Sequence, residues 1–252
     1  MLALAVVATA FFALPLFGLL QRADWSHLID DLRAPGATDA LKLSVTTSLC
    51  AALLAVVLGL PLAWVLARVE FPGRAMVRGL VLLPMVLPPV VGGVALLSAF
   101  SLRSPLGGWL NDTFGIQFTF HPAGVVLAET FVSMPFFVIT VEAALRNLDP
   151  RYEEAAASLG ASRLTVLRRV TLPLIWPALA AGAVLSWARA LGEFGATITF
   201  AGNIAGRTQT LPLAIYLKLE SDPSAAIALS MVLLLVSFAV LIGLRDRWLG
   251  QT

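Results

Sequence analysis

The sequence predicts an all-α polytopic membrane protein. Three observations carry that expectation. The 252 residues are 59% hydrophobic and only 13% charged, with a mean hydropathy of +0.89, against about 45–50% apolar and about 25% charged in soluble domains. Six segments offer the roughly 20 apolar residues that a spanning helix needs: residues 1–20, 43–67, 79–102, 122–144, 170–200 and 224–244. The alternating pattern of transmembrane barrel strands is absent. In hydrocarbon only helices then satisfy the backbone. The length suits one bundle, a single domain over 1–252, with no room for a separate soluble domain.

The first segment lacks the basic n-region of a signal peptide, and its apolar run exceeds the usual h-region, so it reads as a span. The natural start is left open to lying upstream of Met1. The second segment contains the one cysteine, Cys50, which has no intrachain partner and reads as a buried small apolar residue. The third contains LLPMVLPPVVGG at 82–93. Pro84, Pro88 and Pro89 each remove a helix donor, so this helix must kink or break. A packing kink and a flexible pore-lining segment are both open readings. No internal repeat of the kind found in secondary transporters is evident.

Orientation follows from lysine and arginine. Arg68, Arg74, Arg78, Arg146, Arg151, Arg163, Arg168, Arg169, Arg245 and Arg247 fall on one side. Arg22, Arg33, Lys42, Arg103, Arg207 and Lys218 fall on the other, across longer combined loops. The arginine-rich side is expected to be cytoplasmic, with both termini inside. Trp25 and Trp109 then lie outside, and Trp176 and Trp248 near the inner interface. The net charge of +2 points to no nucleic-acid partner.

The stretch YEEAAASLGASRLTVLRRVTLPL at 152–174 interrupts this apolar chain with charge. Asp149 and Pro150 form a helix start, as N-cap and first helical residue. Glu153 and Glu154 sit where the helix dipole favours acids, and Ala155, Ala156 and Ala157 are strong helix formers. Gly160 ends the helix as a left-handed cap. Ser162 caps a second helix, with Leu164, Leu167 and Val170 at near-helical spacing. The segment, about 149–172, is therefore a helix–turn–helix at the cytoplasmic face. It reads as a lipid-resting amphipathic element or as a protein-docking one; alanine buries little area in lipid, which favours docking.

In spacing, Glu154-Ala155-Ala156, three residues, Gly160, nine residues, Val170, one residue, Leu172-Pro173 resembles the EAA motif of binding-protein-dependent ABC importer permeases. Valine stands where isoleucine is common. The resemblance implies a six-helix type I ABC importer transmembrane domain, both ends inside, whose loop docks on a partner ATPase. Glu154, Ala155, Ala156, Gly160, Leu172 and Pro173 would carry that contact. The chain has no GxxxxGK[ST] sequence to cradle phosphates. It is expected to be a transport subunit, not an enzyme, with no cofactor of its own and with ATP and Mg on the partner.

Further on, Gly192-Glu193-Phe194-Gly195, Gly202-Asn203-Ile204 and Thr208-Gln209-Thr210-Leu211-Pro212 resemble molybdate-type permeases of that family. Sulfate permeases share the glycine–glutamate–aromatic–glycine core. The resemblance implies import of an oxyanion, molybdate or tungstate, with sulfate as the alternative. It also implies an extracytoplasmic binding protein, a permease homodimer and location in the lipid of the cell membrane. Arg189, Glu193, Thr197, Thr199 and Asn203 are the candidate pathway residues. Arg189 and Glu193 share a helical face four residues apart, and charges at such depth face protein or water. They read either as a structural ion pair or as an anion attractor tempered by an acid. Glu129 has two candidate roles, pairing with Arg189 or capping a backbone group. His27 and His121 read as solvated loop residues, since no cysteine or acid stands at metal-ligand spacing. No Ser/His/Asp or HExxH arrangement appears, which leaves an intramembrane enzyme without a site. A stand-alone secondary transporter or channel stays open as the alternative; a lone carrier has no need of the docking segment.

Overall fold

The computed structural model describes the backbone of residues 1–34 and 36–248, and the side chains of these residues other than 31, 32, 240, 241 and 243–248. Arg245, Arg247 and Trp248, used above for orientation and interface, have side chains outside the described residues. Among the described residues all regular structure is helical.

The helices are α1 (Leu2–Arg22), α2 (Leu28–Arg33), α3 (Ala37–Arg68), α4 (Arg74–Val86), α5 (Pro89–Phe100), α6 (Pro105–Phe114), α7 (Pro122–Asn147), α8 (Arg151–Ser158) and α9 (Arg163–Val166). A π-helical turn at Leu167–Thr171 leads into α10 (Leu172–Leu174), followed by α11 (Trp176–Leu191), α12 (Gly195–Phe200), α13 (Leu211–Ser221) and α14 (Pro223–Trp248). Among the described residues α1, α3 and α7 are each long and apolar enough to cross a membrane. Two bent pairs also pass that test together: α5 with α6, turned by 56°, and Arg163–Leu174 with α11, turned by 70°.

The core is built from α3, α7 and α11. On α3, Ala51, Ala55, Gly59 and Ala63 recur every four residues and are all buried. Small residues at that spacing let two backbones approach closely. A Cβ on Gly59 would stand 2.8 Å from the Phe137 ring. Phe137, Val138, Val141 and Leu145 of α7 fill the seam with Leu66 and Ile175. Thr47 bonds Glu129 and Arg146 reaches the Leu66 carbonyl, so α3 and α7 run parallel. α11 runs antiparallel to both, with Ile175 beside Leu66 and Leu145, and Trp187 bonded to Ser48.

Cys50 is exposed on α3, not buried. The buried stripe occupies the other face of the helix, and in a membrane bundle an apolar exposed face is the lipid-facing one. The same reason leaves no buried residue in α1.

The proline-rich run breaks rather than kinks. Pro84 lies within α4, Leu87 and Pro88 are extended, and Pro89 starts α5. The residue before a proline is pushed out of the helical region, so Leu87 is where the helix ends. The segment 170–200, expected as one span, is cut into pieces at Ile175 and again at Gly192–Phe194. Pro177 has no N–H for the Pro173 carbonyl, which lets the chain turn at Ile175, and Pro173 explains the π turn before that corner. Pro173 has no N–H for the Arg169 carbonyl, and its ring would crowd that oxygen. The chain widens into the π turn just before it, where the Leu172 N–H reaches the Leu167 carbonyl.

Candidate functional site

Two constellations stand at opposite ends of the core. The first is the charged segment. The Asp149 carboxylate accepts from the Arg151 N–H at 3.0 Å, and the Pro150 carbonyl accepts from Glu153 and Glu154. These bonds satisfy the free donors of the first turn of α8. At the other end Gly160 has φ +84°. Its N–H bonds the Ala157 carbonyl at 2.9 Å, and the Ala161 N–H bonds the Ala156 carbonyl at 3.1 Å. This is the Schellman arrangement, which requires a left-handed residue at that position. Ser162 Oγ accepts from the Thr165 N–H and starts α9.

The result is a short knob with little of its own core. No residue of α8 is buried. Glu154, Ala155 and Gly160 are exposed, and Leu159 is 89% exposed. Tyr152 and Leu164 add to this apolar surface. Pro173 is exposed as well, whereas Leu172 packs onto the core beside α7 and α3. Of the motif residues, Leu172 therefore serves the bundle, Ala156 is half-buried, and Glu154, Ala155, Gly160 and Pro173 form the surface.

Sequence reasoning missed the groups beneath the knob. Arg68 pairs with Glu153 at 3.3 Å. Glu142 of α7 pairs with Arg78 and, at 3.1 Å, with Arg146. Arg74 and Arg146 donate to the Leu66 carbonyl at the end of α3, where helix carbonyls lack partners and the dipole favours cations. The arginines that fixed the expected orientation thus also bind α3, α4 and α7 together. Only their common sign on one side was visible in the sequence.

The second constellation lies toward the opposite end. Arg189 and Glu193 meet at 2.7 Å. Glu193 is 1% exposed and Arg189 28%. The other Glu193 oxygen accepts from the Ala196 N–H at 2.8 Å, which anchors α12 just after the break. Glu129 does not pair with Arg189; it accepts from the Thr47 hydroxyl at 3.1 Å, and Arg189 is engaged by Glu193. Thr197 is buried. The half-buried Thr199 donates to the Gly195 carbonyl, and Asn203 is half-buried. The structure therefore places Glu193 and Thr197 inside the bundle, while Arg189, Thr199 and Asn203 reach its surface.

The two broken helices meet here. A Cβ on Gly93 of α5 would lie 2.8 Å from the Ala196 carbonyl oxygen. Glycine on both helices lets the α4–α5 break and the α11–α12 break lie side by side.

In the loop after α1, His27 pairs with Asp24 at 3.1 Å. Hydrogen bonds from the Ser26 hydroxyl and the His27 ring hold the Asp24 carboxyl down at about 2. Neither residue was connected by sequence reading. Among the described residues no three His, Cys, Asp or Glu side chains converge as metal ligands would.

A family model of binding-protein-dependent transport system inner membrane components matches residues 55–251. The molybdenum transport system permease protein ModB of Mycobacterium bovis is 48% identical over 243 residues, covering 96% of this chain and 92% of the relative. The sulfate transport system permease protein CysT of Salmonella typhimurium is 41% identical over 236 residues, covering 92% and 85%. Among solved structures, a bacterial ABC transporter involved in import of the acidic polysaccharide alginate superimposes with a TM-score of 0.80. It covers 100% of this chain and 94% of its own at 20% identity, a likeness that carries the fold alone.

Proposed function

Because the chain belongs to the inner membrane components of binding-protein-dependent transport systems, we propose that it is the permease of an ATP-driven oxyanion importer, with molybdate or tungstate as cargo. The observation that supports this cargo is the 48% identity to a molybdenum permease along 96% of the chain. Sulfate is the second reading, favoured by the 41% identity to a sulfate permease.

In this reading the arginine-rich end faces the cytoplasm, with both termini inside. Two permeases, expected to be copies of this chain, pair with ATPase subunits that carry ATP and Mg, and an extracytoplasmic binding protein delivers the anion. Glu154, Ala155, Ala156, Gly160 and Pro173 form the surface that meets the ATPase. Leu172 fastens that surface to the core. The short helix gives a stiff contact, and rigid-body displacement is the common route by which such contacts pass on movement.

At the other end Arg189 sits near the pathway, held in place and its charge offset by Glu193. Thr199 and Asn203 add neutral polar contacts, which suit an ion that must leave again. Arg189 is already neutralised by its partner, so this chain supplies transient contacts and the binding protein supplies selectivity.

The test is the anion bound by the cognate binding protein, titrated calorimetrically with molybdate, tungstate and sulfate, followed by uptake of that anion into vesicles holding the whole assembly. Tight molybdate or tungstate binding is expected. Tight sulfate binding without molybdate binding overturns the cargo.

A further inference from the structure

The two adjacent glutamates of α8 face different ways, since successive helical residues are turned by about 100°. Glu154 is exposed. Glu153 turns back to the bundle and uses both carboxylate oxygens there. Oε1 accepts from the Thr171 hydroxyl at 2.7 Å, and Oε2 lies 3.3 Å from Arg68 Nη2. Thr171 is 1% exposed and closes the π turn, and Arg68 is the last residue of α3. One side chain therefore joins α8 to the π turn that follows it and to the distant end of α3.

The surroundings make this junction consequential. α8 is flanked by an extended residue, Leu148, on one side and by left-handed Gly160 on the other. Neither link continues a helix, and no α8 residue is buried. A helix tethered in this way swivels on its links unless a specific contact fixes it. Arg74 and Arg146 also crowd the end of α3, with Arg78 beside them on Glu142. Glu153 is the acid that meets Arg68 within this basic group.

We propose that Glu153 is a positioning residue for energy coupling. It locks α8 to α3 and to the π turn, so that movement of α8 displaces the core instead of being absorbed by its two links. This rests on the reading of α8 as the ATPase contact.

The experiment uses the full assembly of permease, ATPase and binding protein in proteoliposomes. Variants are Glu153→Ala, Arg68→Glu, and the exchange Glu153→Arg with Arg68→Glu. Three quantities are read: ATPase subunit retained per permease, ATP hydrolysis, and molybdate uptake. Glu153→Ala is expected to retain the ATPase subunit, to lose about tenfold in uptake, the scale of a typical coupling energy, and to hydrolyse more ATP per anion. The exchange is expected to recover part of the uptake. Unchanged uptake in Glu153→Ala overturns the inference. So does loss of the ATPase subunit from that variant, which would make Glu153 a docking contact, and so does failure of the exchange to rescue. A wild-type chain that retains no ATPase subunit would instead sink the reading of α8 itself.

Discussion

Gly195 lies against Pro89: a methyl group added to the glycine would stand 2.9 Å from the proline Cβ and 3.3 Å from the Val90 backbone nitrogen. The first residue of α12 and the first of α5 thus touch immediately beyond the two breaks. Neither neighbour has a flexible end to move aside. Gly195→Val is expected to lower stability by about 1–3 kcal/mol, the usual cost of overpacking. Gly79→Val, which meets nothing within 4 Å, is the control. Thermal midpoints of the two purified variants decide it; equal midpoints would show that the helices can part at no cost.

Arg189 and Glu193 distinguish a structural pair from a transport pair. Removing one partner of a buried pair typically costs about 3–5 kcal/mol, and replacing both with apolar residues is often neutral. Arg189→Leu is expected to destabilise more than the double change Arg189→Leu with Glu193→Gln, which removes both charges and keeps an oxygen for the Ala196 N–H. If the double variant is stable yet does not transport, the pair acts on the anion. If it is stable and transports normally, the pair is structural, and the proposed role of Arg189 fails.

Gly160 tests the docking surface. Its φ of +84° is strained for any side chain, while the space around it is open within this chain. Gly160→Val therefore strains the Schellman turn, at a local cost of about 1 kcal/mol or somewhat more, without an internal clash. Membrane insertion is expected to be normal, with loss of the co-purifying ATPase and of uptake. Normal uptake by this variant would remove Gly160 from the contact.

Glu142 is the shared anion of Arg78 and Arg146. Its side chain is 9% exposed, whereas that of Arg146 is 42% exposed. Truncating the acid removes the shared partner of two arginines, Arg78 being 32% exposed, whereas truncating Arg146 leaves the Glu142–Arg78 pair intact. Glu142→Ala is expected to lower the melting midpoint clearly. Arg146→Ala stays near wild type, since exposed pairs contribute about 0–1 kcal/mol. The reverse order would refute this account of the arginine cluster.

Local chemistry made the two short helices of the charged segment legible. Asp149, Gly160 and Ser162 each act on backbone groups within five residues of themselves, so their types alone mark the ends of α8 and α9. The break at Leu87–Pro88 was legible for the same reason. What the sequence hid is long-range or depends on competition. Arg68 and Glu153 are 85 positions apart, Thr47 and Glu129 82, and nothing local pairs them. Pairing with Arg189 is one of the two roles the sequence offers Glu129, on the cue of opposite charge, whereas Glu193, one turn away, takes the arginine. The apolar run 170–200 concealed its two interruptions, since hydropathy does not register a π turn or a three-residue break. Cys50 was misassigned because in a membrane an apolar residue has two equally dry places to go.

In the proposed assembly the 70° corner at Ile175 would work as a crank. Any push along the Arg163–Leu174 arm is delivered almost broadside to α11. Broadside motion separates or closes a seam between helices, while axial motion would only slide one along another. Arg189 rides on the far end of α11, so its travel is set by the length of that helix and the angle of the corner, and stiffening or bending the corner would change the stroke without touching either end.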